Sequence, residues 1–156
     1  MSDLRTVEIA DALLTAVEEA ATSLSIDLPE RRVVAEGNLA WDCALVAVAL
    51  PRSFRGQPGA AVSARNRTPD TFVADYRLWV LRDVPVPSDD GRLPAPEAIS
   101  EAGRATLADH YLLTVGLAPA LAEIAKGCTS IATGEVTTSG PEGGLVGVSA
   151  VVAVGL

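Results

Sequence analysis

Leu145-Val146-Gly147-Val148-Ser149-Ala150-Val151-Val152-Ala153-Val154-Gly155-Leu156 closes the chain with no charge and a single hydroxyl, at Ser149. Chain ends usually fray and are written in polar residues, so an apolar, valine-rich end predicts a strand tied into a sheet or into a neighbouring subunit. Just before it, Gly140-Pro141-Glu142-Gly143-Gly144 has the chemistry of a turn, and Thr129 to Thr138 alternates weakly. Residues 129–156 therefore read as a hairpin.

Two more apolar stretches belong to the same sheet. Cys43-Ala44-Leu45-Val46-Ala47-Val48-Ala49-Leu50 lacks polar alternation, which predicts a central strand covered on both faces. Arg31 to Glu36, followed by the turn signal Gly37-Asn38, predicts a hairpin with that strand. Thr71 to Val84 alternates, with Phe72, Ala74, Tyr76, Leu78 and Val80 on one face and Asp75 and Arg77 on the other, as a long strand does.

Helical spacing appears twice. From Asp3 to about Leu24, Val7, Ala10, Leu14, Val17, Ala21 and Leu24 recur at steps of three and four. That stripe is short and half alanine, so it predicts docking on a sheet and not a coiled-coil seam. The second helix runs from about Pro96 into Leu112-Leu113, with Glu97 and Glu101 placed to complement its dipole; Pro119 should kink or restart it and Gly127 end it. A proline-rich connector, 85–96, precedes it. The order is helix, two strands, loop, long strand, connector, helix, two strands. It predicts one α+β domain over 1–156, a mostly antiparallel β-sheet with two main helices packed on one side.

Composition narrows the function. A formal net charge of −8 and a sequence pI near 4.5 argue against free binding to nucleic acid. Hydrophobic residues make up 49% but aromatics only 4%, which favours close packing of small side chains over a roomy ligand pocket. No acidic residue lies between Asp42 and Asp70, while Arg52, Arg55, Arg65 and Arg67 do, with Phe54 among them. In an acidic chain, 51–69 is thus a basic excursion, either a solvated loop or an arm reaching an acidic neighbour. The N-terminal residues lack the pattern of a signal peptide and no run spans a bilayer, so a cytosol-like compartment is expected.

Residue chemistry names no reaction. His110 is the only histidine, and on a helix its neighbour Asp109 points about 100° away and does not orient it. Ser63, Ser139 and Cys128 have no matched base. Cys43 and Cys128 lack metal-ligand spacing and read as buried free thiols. Glu36, Asp42, Asp75 and Asp83 lie on or beside strands, where cross-strand ion pairs with Arg77 and Arg82 account for them better than a paired-acid site. The Gly140–Gly144 run has neither the lysine nor the helix of a phosphate loop. No catalytic residue, metal or cofactor is expected.

The whole chain resembles the tail-terminator proteins of long, flexible-tailed bacteriophages, particularly those of actinobacterial hosts. The matching features are the N-terminal amphipathic helix, Trp41-Asp42-Cys43 leading into the apolar strand, and the long strand ending in Arg82-Asp83-Val84-Pro85-Val86-Pro87. To these add the helix beginning near Pro96 and the Gly140–Gly144 hairpin with its valine-rich end. The resemblance implies a structural virion protein, made in the host cytoplasm. It would form a ring, generally a homohexamer, that stops polymerisation of the tail tube and joins the tail to the neck. Its partners would be the tail tube protein and the neck or connector protein, with DNA passing through the lumen without specific binding and no membrane involved. The 51–69 loop, through Arg52, Arg55, Arg65, Arg67 and Phe54, is then the expected contact, and the apolar last strand is expected to be open to strand addition. The rivals are another neck or head-completion protein and, from a different class, a small metabolic enzyme or ligand-binding domain.

Overall fold

The computed structural model describes residues 2–37, 42–55 and 72–156. Its elements follow the expected order: α1 (Ser2–Ser23), β1 (Arg32–Glu36), β2 (Leu45–Arg55), β3 (Phe72–Asp83), α2 (Pro96–Tyr111), a π-helical turn (Leu112–Gly116), α3 (Ala118–Ala125), β4 (Ser130–Glu142) and β5 (Leu145–Gly155). The five strands form one sheet in the order β1-β2-β3-β5-β4. All pairs but one are antiparallel and the helices pack on the sheet, so the fold is α+β.

The last strand sits inside the sheet. β5 runs antiparallel to β3 from Val73↔Gly155 to Asp83↔Leu145 and antiparallel to β4 on its other side, and all of its residues but Val151 are buried. This corrects the expectation that the apolar last strand offers itself for strand addition: both of its edges are paired. Among the described residues the sheet's edges are β1 and β4, and both are blunted. β1 is five residues long, and β4 departs from regular register at Thr133/Val136 and again at Ser139/Glu142.

The expected first hairpin is also overturned. β1 pairs parallel with β2, from Arg32↔Val46 to Glu36↔Leu50. A five-residue strand spans about 17 Å, and the residues between Glu36 and Leu45 have ample reach to carry the chain back beside its start. Polar ties hold that return. Arg32 pairs with Glu18 of α1 and donates to the Pro29 carbonyl, Arg31 Nη1 contacts Cys43 Sγ at 2.8 Å, and Val46 N donates to the Arg31 carbonyl. Asn38 and Trp41 lie outside the described residues.

The main core lies between the helices and one face of the sheet. α1 contributes Ile9, Ala10, Leu13, Ala16, Val17, Ala20 and Ala21, against Val46, Val48, Ala74, Tyr76, Leu78, Val80, Val148 and Val152. The stripe is broader than the sequence spacing implies and centres on Leu13, while Val7 and Leu24 at its predicted ends are exposed. A sheet is a flat support and takes a wide helix face, whereas a coiled-coil seam takes a narrow one. The second helical region breaks where proline demands it: the chain passes through the π-helical turn and restarts as α3 with Pro119 in its first turn. Leu112, Leu113, Leu117 and Leu121 close the core over β4 and β5. Among the described residues no helix is long and apolar enough to cross a membrane.

Candidate interaction surface

Strand alternation sends the other half of each strand's side chains to the opposite face. At one end of that face, Leu45, Ala47, Trp79 and Leu81 form a second buried cluster, packed by Val33 and Cys43 and containing no helix residue. Its closeness depends on Gly147. A Cβ there would stand 2.6 Å from Leu81 Cδ2 and 3.2 Å from the Trp79 ring, so the glycine is what leaves room for both side chains against β5. Beside it, the hydroxyls of Ser149 and Thr137 are 3.3 Å apart across the β4–β5 pair.

Toward the other end the same face turns polar. β3 places Asp75 and Arg77 there, alternating with core residues. On β2 the register slips by one residue between Ala49 and Arg52, so Arg52, and not Pro51, comes opposite Asp75. A bulge is where a strand tolerates proline, which has no N–H to give the ladder, and here it re-aims a side chain. Arg52 forms an ion pair with Asp75 and lies over the Phe54 ring, 5.1 Å from its centroid. Arg77 lies over the Trp79 ring at 5.7 Å. Asp75 is buried, but Arg52 is half exposed and Arg77 exposed, so two guanidinium groups backed by rings face outward from a floor of small residues.

The structure thus divides the predicted contact set. Pro51–Arg55 belongs to β2 and not to a loop. Arg52 and Phe54 share the polar end of this face. Arg52 is a correction to the picture of a charge held out on an arm, because the buried Asp75 carboxylate engages it. Arg55 is the last residue of β2, and Arg65 and Arg67, with the rest of the expected loop, lie outside the described residues. Sequence reasoning missed Arg77 as a surface element and the buried Trp79 ring as its backing. The alternation of β3 already put Arg77 on the face away from Tyr76, but an ion pair was expected where a ring contact is found.

The carboxylates do not converge. Glu36 faces the α1 side and lines a groove with Val7, Leu50 and Phe72, whereas Asp83 ends β3 opposite Leu145. Asp42 precedes β2 and is exposed. Arg82, expected to pair across strands, instead reaches α2, where Nε and Nη2 bond both oxygens of Asp109 at 2.5 and 2.7 Å; Nη2 also donates to the Asp27 carbonyl at 2.6 Å. Asp109 is 1% exposed, and burial pushes its pKa up against the opposing pull of Arg82. His110 turns elsewhere, its Nδ1 3.4 Å from the Thr114 hydroxyl. Among the described residues no group of three or more His, Cys, Asp or Glu could hold a metal ion.

Tyr76 and the two cysteines also take their character from the fold around them. The Tyr76 hydroxyl donates to the Thr6 carbonyl at 2.9 Å, and burial pushes its pKa up to about 12. Both cysteines are free and half-buried, less enclosed than their apolar surroundings in sequence imply. The hydrogen bond with Asp42 raises the Cys43 thiol, and burial raises that of Cys128, so both are held in the un-nucleophilic thiol form. Ser139 pairs opposite Gly147 at the β4 edge, and Ser63 lies outside the described residues. Neither the family models nor the curated proteins searched give a match to this chain.

Proposed function

We propose that this chain is a structural subunit of a virion, one copy in a ring that caps the tail tube of a long-tailed phage, ends its polymerisation and joins the tail to the neck. The observation that carries the reading is the outward pair Arg52 and Arg77, each backed by an aromatic ring on a sheet face floored by small residues. Arginine and aromatic side chains are what protein interfaces concentrate, and in a chain of net charge −8 they give a local site for an acidic neighbour. The buried groups support the same reading, because Asp75, Asp109 and Tyr76 are each held by a partner within the fold and, among the described residues, line no common cavity. Subunits would meet through side-chain surfaces and not by adding strands, since β5 is enclosed and the β4 edge is twice bulged. The negative surface leaves DNA free to pass, because like charge removes the phosphate attraction.

Native mass spectrometry of the intact chain tests this directly. A ring-sized oligomer, or addition of the chain to purified tail tubes, is the expected result. A stable monomer that adds to neither and retains a metabolite would overturn it in favour of a ligand-binding domain. Binding to head connectors with tubes left uncapped would move the assignment to a neck protein.

A further inference from the structure

The outer face of α2 has a pattern that matches itself. Ile99, Gly103, Leu107 and Tyr111 follow one another at steps of four, and Val115 in the π-helical turn continues the row. Ile99, Leu107, Tyr111 and Val115 are 52%, 71%, 52% and 48% exposed. The helix faces inward with Ala98, Ala102, Ala105 and Asp109, on the side away from this row; of its residues only Asp109 is buried. Its charges, Glu97, Glu101 and Arg104, lie along one border of the row and leave its centre neutral.

The row is symmetric about Leu107. Counting four residues outward in either direction gives a glycine on one side and a tyrosine on the other; counting eight gives the branched apolar residues Ile99 and Val115. A Cβ built on Gly103 would meet nothing within 4 Å, so the site is an open seat, one side chain deep, on the surface of the helix. When two copies of such a helix cross antiparallel at Leu107, each Tyr111 comes opposite the other copy's Gly103. A two-fold contact requires that match: the same patch must serve as knob and as hole. Rows spaced by four residues interdigitate at a crossing angle near −50°, and a glycine at the crossing lets the axes approach closely. Large side chains carry on the order of 150–200 Å² each, so four of them about half exposed leave roughly 400 Å² of apolar surface per subunit. That is about half of what a standard interface buries per partner, which suits a weak, reversible dimer.

We propose that α2 pairs with α2 of a second copy about a two-fold axis beside Leu107, Tyr111 of each seating over Gly103 of the other. The pairing goes beyond the ring reading and does not rest on it. A cyclic ring uses head-to-tail contacts and contains no such axis, so this dimer is a separate association of the free subunit.

Site-directed cross-linking separates a two-fold contact from every other occupant. With Cys43 and Cys128 replaced by Ser, Leu107→Cys should form a disulfide-linked dimer under mild oxidation, because the axis brings each residue 107 beside its own copy. Mixing Gly103→Cys with Tyr111→Cys should give the heterodimer in excess of either homodimer. Sedimentation equilibrium should show a dimer step for the free, unassembled wild-type subunit, weakened at least tenfold by Leu107→Glu or Gly103→Leu. Both positions are exposed, and unchanged circular dichroism would establish that the variants fold. A wild-type chain that stays monomeric at several hundred micromolar, or a dimer that neither cross-links at 107 nor responds to the two variants, overturns the pairing. A ring that survives Leu107→Glu with no 107–107 cross-link in the cysteine variant overturns the pairing and leaves the ring. A 107–107 dimer with no ring or tube addition keeps the pairing and removes the ring.

Discussion

At Asp109 two opposing effects can be weighed. The carboxylate is buried, which disfavours its charge, and grasped side-on by Nε and Nη2 of the Arg82 guanidinium, which favours it; burial is the larger and the pKa is raised. A carboxylate raised in the folded state binds its proton more tightly there than in the unfolded chain. Its contribution to stability is therefore fully present below the ordinary value of 3.8 and is lost as pH rises through the folded value. Asp109→Asn removes that dependence, so wild type should lose stability relative to the variant as pH climbs above about 3.8. Paired thermal melts at stepped pH read this; a difference that stays flat or moves the other way would mean that Arg82 outweighs burial. Asp109→Ala leaves the guanidinium without its carboxylate and should cost about 2–3 kcal/mol near neutrality, below the range for a fully buried pair because Arg82 retains the Asp27 carbonyl and some solvent. Gly147 is the second informative residue. Gly147→Ala forces a methyl group against Leu81 and Trp79 and should cost about 1–3 kcal/mol, with a changed tryptophan emission as its local signature. In sequence Gly147 is one small residue among valines. Its role became visible only when pairing set it beside Trp79, 68 positions earlier in the chain by residue number.

At the level of elements, what could be read was whatever depends on local pattern. The charge-free run from Leu145 named a buried strand, the unalternating run to Leu50 named a strand buried on both faces, and Pro96 and Pro119 each marked a helical first turn. What failed depends on pairing between distant segments. Gly37-Asn38 looks like a hairpin turn, but β1 lies parallel to β2, with Arg31 and Arg32 bonded to Cys43, Glu18 and Pro29 beside it, and no local spacing encodes those bonds. Pro51 looked like the end of β2, yet a bulge absorbed it and carried the strand on to Arg55, which brought Arg52 beside Asp75. Half of the candidate surface was therefore named for a reason that the fold revised: Arg52 and Phe54 are on it, as strand residues and not as a loop. The interior place of β5 makes its own forecast. Removing Val152–Leu156 strips partners from Val73–Tyr76 of β3 and from Ser130–Thr133 of β4 at once, so the shortened chain should lose cooperative unfolding altogether. A sigmoidal melt with native-like circular dichroism from that truncation would contradict the central placement.

For the molecule as a whole, the proposed assembly raises the question of how a chain of net charge −8 would meet partners, since a negative surface repels acidic neighbours and copies of itself alike. The sheet face away from the helices answers this with geometry: it gathers Arg52 and Arg77 over Phe54 and Trp79, and holds Asp75 beneath them where it neutralises only one of the two. The two arginines should then behave differently. Arg52 is part of the fold, because losing it leaves Asp75 buried and unpaired, so Arg52→Glu is expected to lower the melting temperature as well as assembly. Arg77 is exposed and stacks on a ring that the β-sheet already fixes, so Arg77→Glu should melt near wild type while reversing the charge of the surface. Under the ring reading proposed above, its expected effect is a loss of ring formation or tube capping of tenfold or more in concentration. Wild-type assembly should also weaken steeply with added salt, because exposed charges are screened over about 8–10 Å at ordinary ionic strength. Titrating tail tubes with wild type and Arg77→Glu at two salt concentrations measures both effects together. Equal capping by the two proteins, insensitive to salt, would remove this face from the assembly.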